Sequence, residues 1–148
     1  MYKHIMLPTD GSELSMRAIN EGIALAKSIG AKVTVIHVIA HYNIVIEEGL
    51  GSREIKSIEK ENEKRLMKLA QQVLDKIGVA VDKAGLKFET EVLVGDHPFQ
   101  EIIDSAIKRE CDLIVMASHG RIGLQSLLLG GVTAKVLAHS KIPVLVVR

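Results

Sequence analysis

Four short runs of β-branched and aliphatic residues recur along the chain with helix-length stretches between them: HIML (4–7), KVTVIHVI (32–39), DLIVMA (112–117) and IPVLVV (142–147). Successive side chains of a strand point to opposite faces, so a run that is apolar at nearly every position is a strand covered on both sides. A fifth run, LKFETEVLV (86–94), alternates charged and apolar residues and reads as an edge or half-exposed strand. The stretches between carry helical periodicity. From about Ser12 to Ile29, residues Leu14, Ala18, Ile23, Leu25, Ala26 and Ile29 make a broad apolar face, and Gly30 stops the helix. From about Arg53 to Ala84, residues Ile55, Ile58, Leu66, Leu69, Val73, Ile77 and Val81 recur at spacings of three and four, and KSIEKENEKR is a solvated face. A third helix follows Gly95-Asp96-His97-Pro98, with Pro98 in its first turn and Asp96 or His97 as cap. The last runs from about Gly131 to near Ser140.

Alternating strands and helices with right-handed crossovers define an α/β fold: a doubly wound parallel sheet with helices on both faces. The 148 residues, 47% of them hydrophobic, suffice for one such domain, residues 1–148. Nineteen Lys and Arg against eighteen Asp and Glu leave no basic field to attract nucleic acid or an anionic membrane. A single cysteine, Cys111, fits a reducing compartment and a structural thiol. No stretch approaches the ~18–20 apolar residues of a membrane span, and MYKHIMLPTDGS is too polar for a signal peptide. A cytoplasmic protein is expected. The segment from His41 to Ser52 exceeds the usual connection length and is read as a mobile loop or lid.

In such a sheet ligands bind at the C-terminal ends of the strands, where the strand order reverses. The loops there are Pro8 to Ser12, the end of the second strand at 38–40, Gly95 to Pro98, and Ala117 to Thr133. The last holds MASHGRIGLQSLLLGGVT (116–133), in which Gly120 and the Gly130-Gly131 pair stand ten positions apart. Glycines allow φ > 0 and leave no Cβ, so main-chain N–H groups can approach an anion. A helix opening at Gly131 adds its unpaired N–H groups and positive dipole end. Two readings are open: a phosphate cradle, or a turn into a helix. Neither G-x-x-x-x-G-K-[ST] nor G-x-G-x-x-G after the first strand is present.

Residues 117–133 resemble the Gly-x2-Gly-x9-Gly-[Ser/Thr] signature of the ATP-binding universal stress proteins. LLLGGVTAKVLAHSKIPVLVVR resembles their C-terminal end, and the likeness extends to HIMLPTDGSELSMRAI, VTVIHVI, VGDHPFQEII and CDLIVMASHG. The resemblance implies a flavodoxin-like five-stranded sheet in the order 3-2-1-4-5 that binds an adenine nucleotide, ATP or AMP, with magnesium on the phosphates. Carried onto this sequence, Pro8, Thr9 and Asp10 line the adenine side, and Val38 offers main-chain hydrogen bonds to the base. Gly95 and Asp96 lie near the ribose. Gly120, Gly130, Gly131, Val132 and Thr133 surround the phosphates, with Ala117 at the first signature position; His119, inside the same loop, is a further candidate ligand contact. Two positions depart from the signature: its first glycine is Ala117, and its hydroxyl position is Gly131. A hydrogen bond to a charged group contributes ~1.5–3 kcal/mol, so weaker binding or a shorter phosphate tail is expected unless Thr133, Ser118 or His119 compensates.

Asp10 can serve the ligand or, in competition with Ser12, cap the first helix; Asp96 is expected as a cap. His37 and His41 stand ~13 Å apart in an extended strand, too far to share a metal, and His37 is expected as a core or strand-end histidine. No protein side chain is assigned to a metal, and there is no nucleophile elbow. IPVLVVR has no charge before Arg148, so Ile142 to Val147 is expected to pair with a second copy in a two-fold homodimer, as the resemblance also implies. The expected function is nucleotide-dependent regulation of an unidentified protein partner in the stress response. Alternatives are a dimeric interaction protein that has lost the nucleotide, and a slow Mg-dependent ATPase using Asp10 or His119.

Overall fold

The computed structural model describes residues 1–41, 51–120 and 129–148. Its elements alternate as β1 (His4–Thr9), α1 (Glu13–Ile29), β2 (Lys32–Ala40), α2 (Ser52–Lys83), β3 (Phe88–Gly95), α3 (Pro98–Lys108), β4 (Leu113–Ala117), α4 (Gly131–His139) and β5 (Val144–Val147). The five strands form a parallel sheet in the order β3-β2-β1-β4-β5. The doubly wound architecture and strand order therefore stand as expected. The stretch read as a lid lies, from residue 42 to 50, outside the described residues.

The continuous apolar runs have a direct structural counterpart in two cores. Ile5 and Leu7 of β1, Val33 and Val35 of β2, and Leu113 and Val115 of β4 meet Ile19 and Ala26 of α1 and Leu74, Ile77 and Val81 of α2 on one face. The intervening residues Met6, Ile36, Ile114 and Met116 meet Ile102, Ile103 and Ala106 of α3 and Val136 of α4 on the other. All six residues of β1 are buried. Each fully buried Ile, Leu, Val or Met contributes ~1.5–3 kcal/mol, so sheet and helices form together or not at all.

Two helix faces differ from the periodicity reading. On α1 the buried line is Ser15, Ala18, Ile19, Gly22 and Ala26, smaller than the face expected. A Cβ on Gly22 would lie 2.3 Å from Leu7 Cδ2, so the small residues let the helix lie close on β1. On α2 the buried line is Ala70, Leu74, Ile77, Gly78 and Val81, whereas Ile58 and Leu69 are about half exposed. The spacing of three and four matches the buried line at Ile77 and Val81; at 69–70 it is Ala70, not Leu69, that is buried, and none of residues 52–69 is buried.

Both predicted edges are edges. β3 carries Glu89 and Glu91, which pair with Arg109 at the end of α3, and β5 exposes Leu145. Cys111 is buried and its thiol is pushed up to about 11 by desolvation, as suits a structural residue. Among the described residues, no helix is long and apolar enough to cross a membrane.

Candidate functional site

The sheet opens where its order reverses. β1 pairs with β2 over six residues, from His4–Lys32 to Thr9–His37, but with β4 only through Ile5–Leu113 and Met6–Ile114. Past Met6 the ladder between the two strands ends. Direction follows from the ladder: Lys32 donates to Lys3 and Asp112 to His4, so odd carbonyls of β1 face β2 and even ones face β4. Pro8, which has no N–H to give, thus sits on the β4 side just after that ladder ends. A proline in a central strand costs nothing at such a place.

The same alternation places the expected base contact. Val33 and His41 bond toward β3, to Lys87 and Gly95, so the even residues of β2 face β1. β1 ends at Thr9, opposite His37. The carbonyl of Val38 and the N–H of Ala40 consequently point over the end of β1, into the crevice.

The turn from β1 into α1 is built from short polar side chains. Gly11 takes φ 76°, a left-handed conformation suited to glycine. Its N–H donates to Thr9 Oγ1 at 3.1 Å, and Thr9 Oγ1 also bonds Ser15 Oγ at 2.9 Å. Thr9 is 6% exposed, so its hydroxyl holds the turn and does not line the crevice. The competition for the helix cap goes to Ser12, whose Oγ accepts from Ser15 N–H at 3.2 Å. Asp10 Oδ1 accepts from Ser12 N–H at 2.9 Å. A Cβ on Gly120 would lie 2.5 Å from Asp10 Oδ2, so this carboxylate reaches across the gap and rests against the chain leaving β4.

The strand β4 side supplies the cradle. Gly130 N–H donates to Ser118 C=O at 2.7 Å, Ser118 N–H to Val147 C=O at 2.8 Å, and Ala134 N–H to Gly130 C=O at 2.9 Å. Gly130 caps α4 in extended backbone (φ −70°, ψ 155°) with no side chain to bond. Its requirement for glycine is closeness: a Cβ would come 3.2 Å from His119 Cα and 3.3 Å from Ser118 O. Neither Gly120 nor Gly130 uses φ > 0, contrary to expectation; the left-handed glycine at this end is Gly11. None of the described residues accepts the N–H groups of Gly131, Val132 and Thr133, the first turn of α4. They carry the positive end of the helix dipole.

Gly131 is the open position, since a Cβ there would meet nothing within 4 Å. The compensating hydroxyls are committed elsewhere. Thr133 Oγ1 donates to Ala117 C=O at 2.8 Å and the residue is 3% exposed. Ser118 is 2% exposed, its Oγ bonded to His119 Nδ1 at 3.0 Å. The hydroxyl missing at residue 131 is therefore not replaced from 133.

At the end of β3 the residues group differently from expectation. A Cβ on Gly95 would lie 2.2 Å from Glu101 Oε1, so the glycine makes room for a carboxylate of α3. Asp96 is no cap: His97 occupies that position, without a side-chain bond, and Asp96 Oδ1 instead pairs with His41 Nδ1 at 2.9 Å. β3 stands three strand spacings from β4, ~14 Å, so Gly95 and Asp96 are remote from the cradle. The structure gathers Pro8, Asp10, Ala117, His119, Gly120, Gly130, Gly131, Val132 and Thr133 where the ladder between β1 and β4 ends, with Val38 one strand away. The residues missed are Gly11, Ser15 and Glu101. Only Gly11 left a signal, as an Asp-Gly turn pair after a strand.

The whole chain, residues 1–148, matches the Universal stress protein family. A universal stress protein of Methanocaldococcus jannaschii is 37% identical over 148 residues, covering all of this chain and 83% of its own. The solved structure of a hypothetical protein, the subject of a structure-based assignment of biochemical function, is 35% identical, with a TM-score of 0.82 over 99% of this chain and 96% of its own. Two structures share the fold at lower identity. One is a universal stress protein in complex with cAMP (24%, TM-score 0.67, covering 99% of this chain and 96% of its own). The other, from Archaeoglobus fulgidus, is in complex with dAMP (21%, TM-score 0.66, covering 99% and 98%). The chain belongs to the universal stress protein family.

Proposed function

We propose that this chain binds an adenine nucleotide in the crevice between β1 and β4 and serves as a regulatory protein of the stress response, with occupancy rather than turnover as its output. One observation carries the reading. The first-turn N–H groups of α4 have no acceptor among the described residues, at the switch point of the sheet that the Val38 carbonyl also faces. An unpaired helix N-terminus favours an anion, and a carbonyl accepts from the amine edge of a base. The related structures with cAMP and dAMP hold ligands with a single phosphate. A cradle whose signature hydroxyl position is Gly131 suits that short tail, so AMP is the favoured ligand. ATP, with magnesium on its phosphates, binds more weakly. Asp10, lying against Gly120, bounds the crevice on the β1 side. The exposed edge β5 supports a homodimer through Ile142 to Val147, in the cytoplasm.

The chain has no Trp and two Tyr, so co-purified adenine dominates its absorbance near 260 nm. Mass spectrometry of the released ligand identifies it, and calorimetry with AMP, ADP and ATP, with and without magnesium, ranks the affinities. No heat with any of them, together with no shift in melting, refutes the reading and leaves a family member whose nucleotide site is lost. The dimer is checked by sedimentation at micromolar concentration, where a monomer refutes it.

A further inference from the structure

We infer that Thr133 is a positioning residue, whose hydroxyl binds no phosphate and holds the opening turn of α4 on the end of β4 so that its N–H groups stay aimed. The inference rests on the nucleotide reading above and specifies how that site is kept in shape.

Three hydrogen bonds meet at the end of β4, two tying the head of α4 to it and one tying it to β5. Gly130 N–H to Ser118 C=O and Ser118 N–H to Val147 C=O are main-chain bonds, available to almost any sequence. The third, Thr133 Oγ1 to Ala117 C=O at 2.8 Å, is the side-chain one. Its geometry separates two roles a threonine can have here. The hydroxyl has one proton, and that proton is given to a carbonyl; an anion needs a donor, so the hydroxyl that holds Ala117 is not also a phosphate donor. Both ends are buried, Thr133 at 3% and Ala117 at 6% exposed, so breaking the bond leaves the carbonyl without compensation from solvent. With Gly131 contributing no side chain, the donors at the head of α4 are main-chain N–H groups, and their value depends on preset direction. Thr133 fixes that direction.

The substitutions are T133V, which keeps the volume and removes the hydroxyl, and T133S, which keeps the hydroxyl. Melting of the ligand-free protein and calorimetry with AMP and with adenosine are measured on each. The expectation for T133V is a ligand-free melting point lower by roughly 3–8 °C and AMP affinity weaker by about tenfold. Adenosine, which has no phosphate to be met, keeps its affinity, and T133S restores both losses. AMP affinity lost with no fall in ligand-free melting makes Thr133 a direct phosphate ligand and overturns the inference. A melting loss with AMP affinity unchanged makes it a stability residue only and overturns it too. Failure of the unsubstituted protein to bind AMP overturns the nucleotide reading and this inference together, whereas the first two outcomes leave that reading standing.

Discussion

At the N-terminal end of the sheet, polar groups close on one another. Asp112 accepts from the N–H groups of Lys3 and His4 at 2.8 and 3.0 Å, His4 Nε2 meets Thr34 Oγ1 at 2.8 Å, and Arg109 binds both Glu89 and Glu91. At the C-terminal end, main-chain groups have no partner among the described residues: the Val38 carbonyl over the end of β1, and the N–H groups of Gly131, Val132 and Thr133 at the head of α4. Both ends are polar. They differ in whether the protein supplies the partner. A donor matched inside the fold contributes to folding and has nothing left for a ligand, whereas an unmatched donor gains only when something binds it. The site of a doubly wound sheet therefore shows itself by its unmatched main-chain groups more than by unusual side chains.

The largest way to sharpen this contrast is to add a side-chain donor at the head of α4, where residue 131 has no side chain. Gly131 is in the first turn of α4 and a Cβ there meets nothing within 4 Å, so Gly131→Ser introduces a hydroxyl without displacing a neighbour. A hydrogen bond to a phosphate contributes ~1.5–3 kcal/mol, so calorimetry is expected to show AMP and ATP binding tighter by about ten- to a hundredfold. An unchanged affinity means that the N–H groups of α4 do not face the ligand. The reverse substitution at its neighbour, Gly130→Val, sets a side chain against His119 Cα and is expected to reduce AMP binding.

What the sequence disclosed divides along the same line. Strand continuity in HIML and DLIVMA was legible because burial on both faces removes polar residues from every position. The edge character of LKFETEVLV was legible because Glu89 and Glu91 had to remain near solvent. The side-chain partners were not legible. Thr133 had two acceptors within conceivable reach, a phosphate or Ala117 C=O, and only the packing of α4 on β4 decides between them. Gly95 belongs to Glu101 for the same reason, and Asp96 pairs with His41, which lies 55 residues away in sequence. Local pattern states which groups are available, while tertiary distance states which are used.

A next, somewhat smaller effect breaks the N-terminal end. Asp112→Ala removes the acceptor of two main-chain N–H groups. With one of them exposed to solvent the cost is about 2 kcal/mol, read as a lower urea midpoint. AMP affinity is expected to stay within about twofold, since separated sites that share no partner act additively. A parallel fall in AMP affinity would show that the two ends are mechanically one unit.

The smallest effect concerns pH and tests the closed character of the N-terminal end at its buried histidine. His4 is 4% exposed, and its Nε2 meets Thr34 Oγ1 at 2.8 Å. Burial holds its pKa below the ordinary 6.5; Lys32 adds to this, and a main-chain hydrogen bond with Arg109, then Glu89 and Asp112, oppose it. The native state thus resists a proton that the unfolded chain accepts, so the contribution is complete above about pH 6.5 and is lost as pH falls through the lowered native value. The slope is at most ~1.4 kcal/mol per pH unit. Asp112 does not blur this window. Desolvation raises its pKa, but the N–H groups of His4 and Lys3 outweigh that, so its own loss begins only below the ordinary 3.8. Urea midpoints between pH 7 and 5 are accordingly expected to decline in the unsubstituted protein and to hold level in His4→Gln, whose amide can still reach Thr34 but does not titrate. Equal declines in the two proteins would move the acid sensitivity to another group. The N-terminal end would then be closed by Asp112 and Arg109 alone.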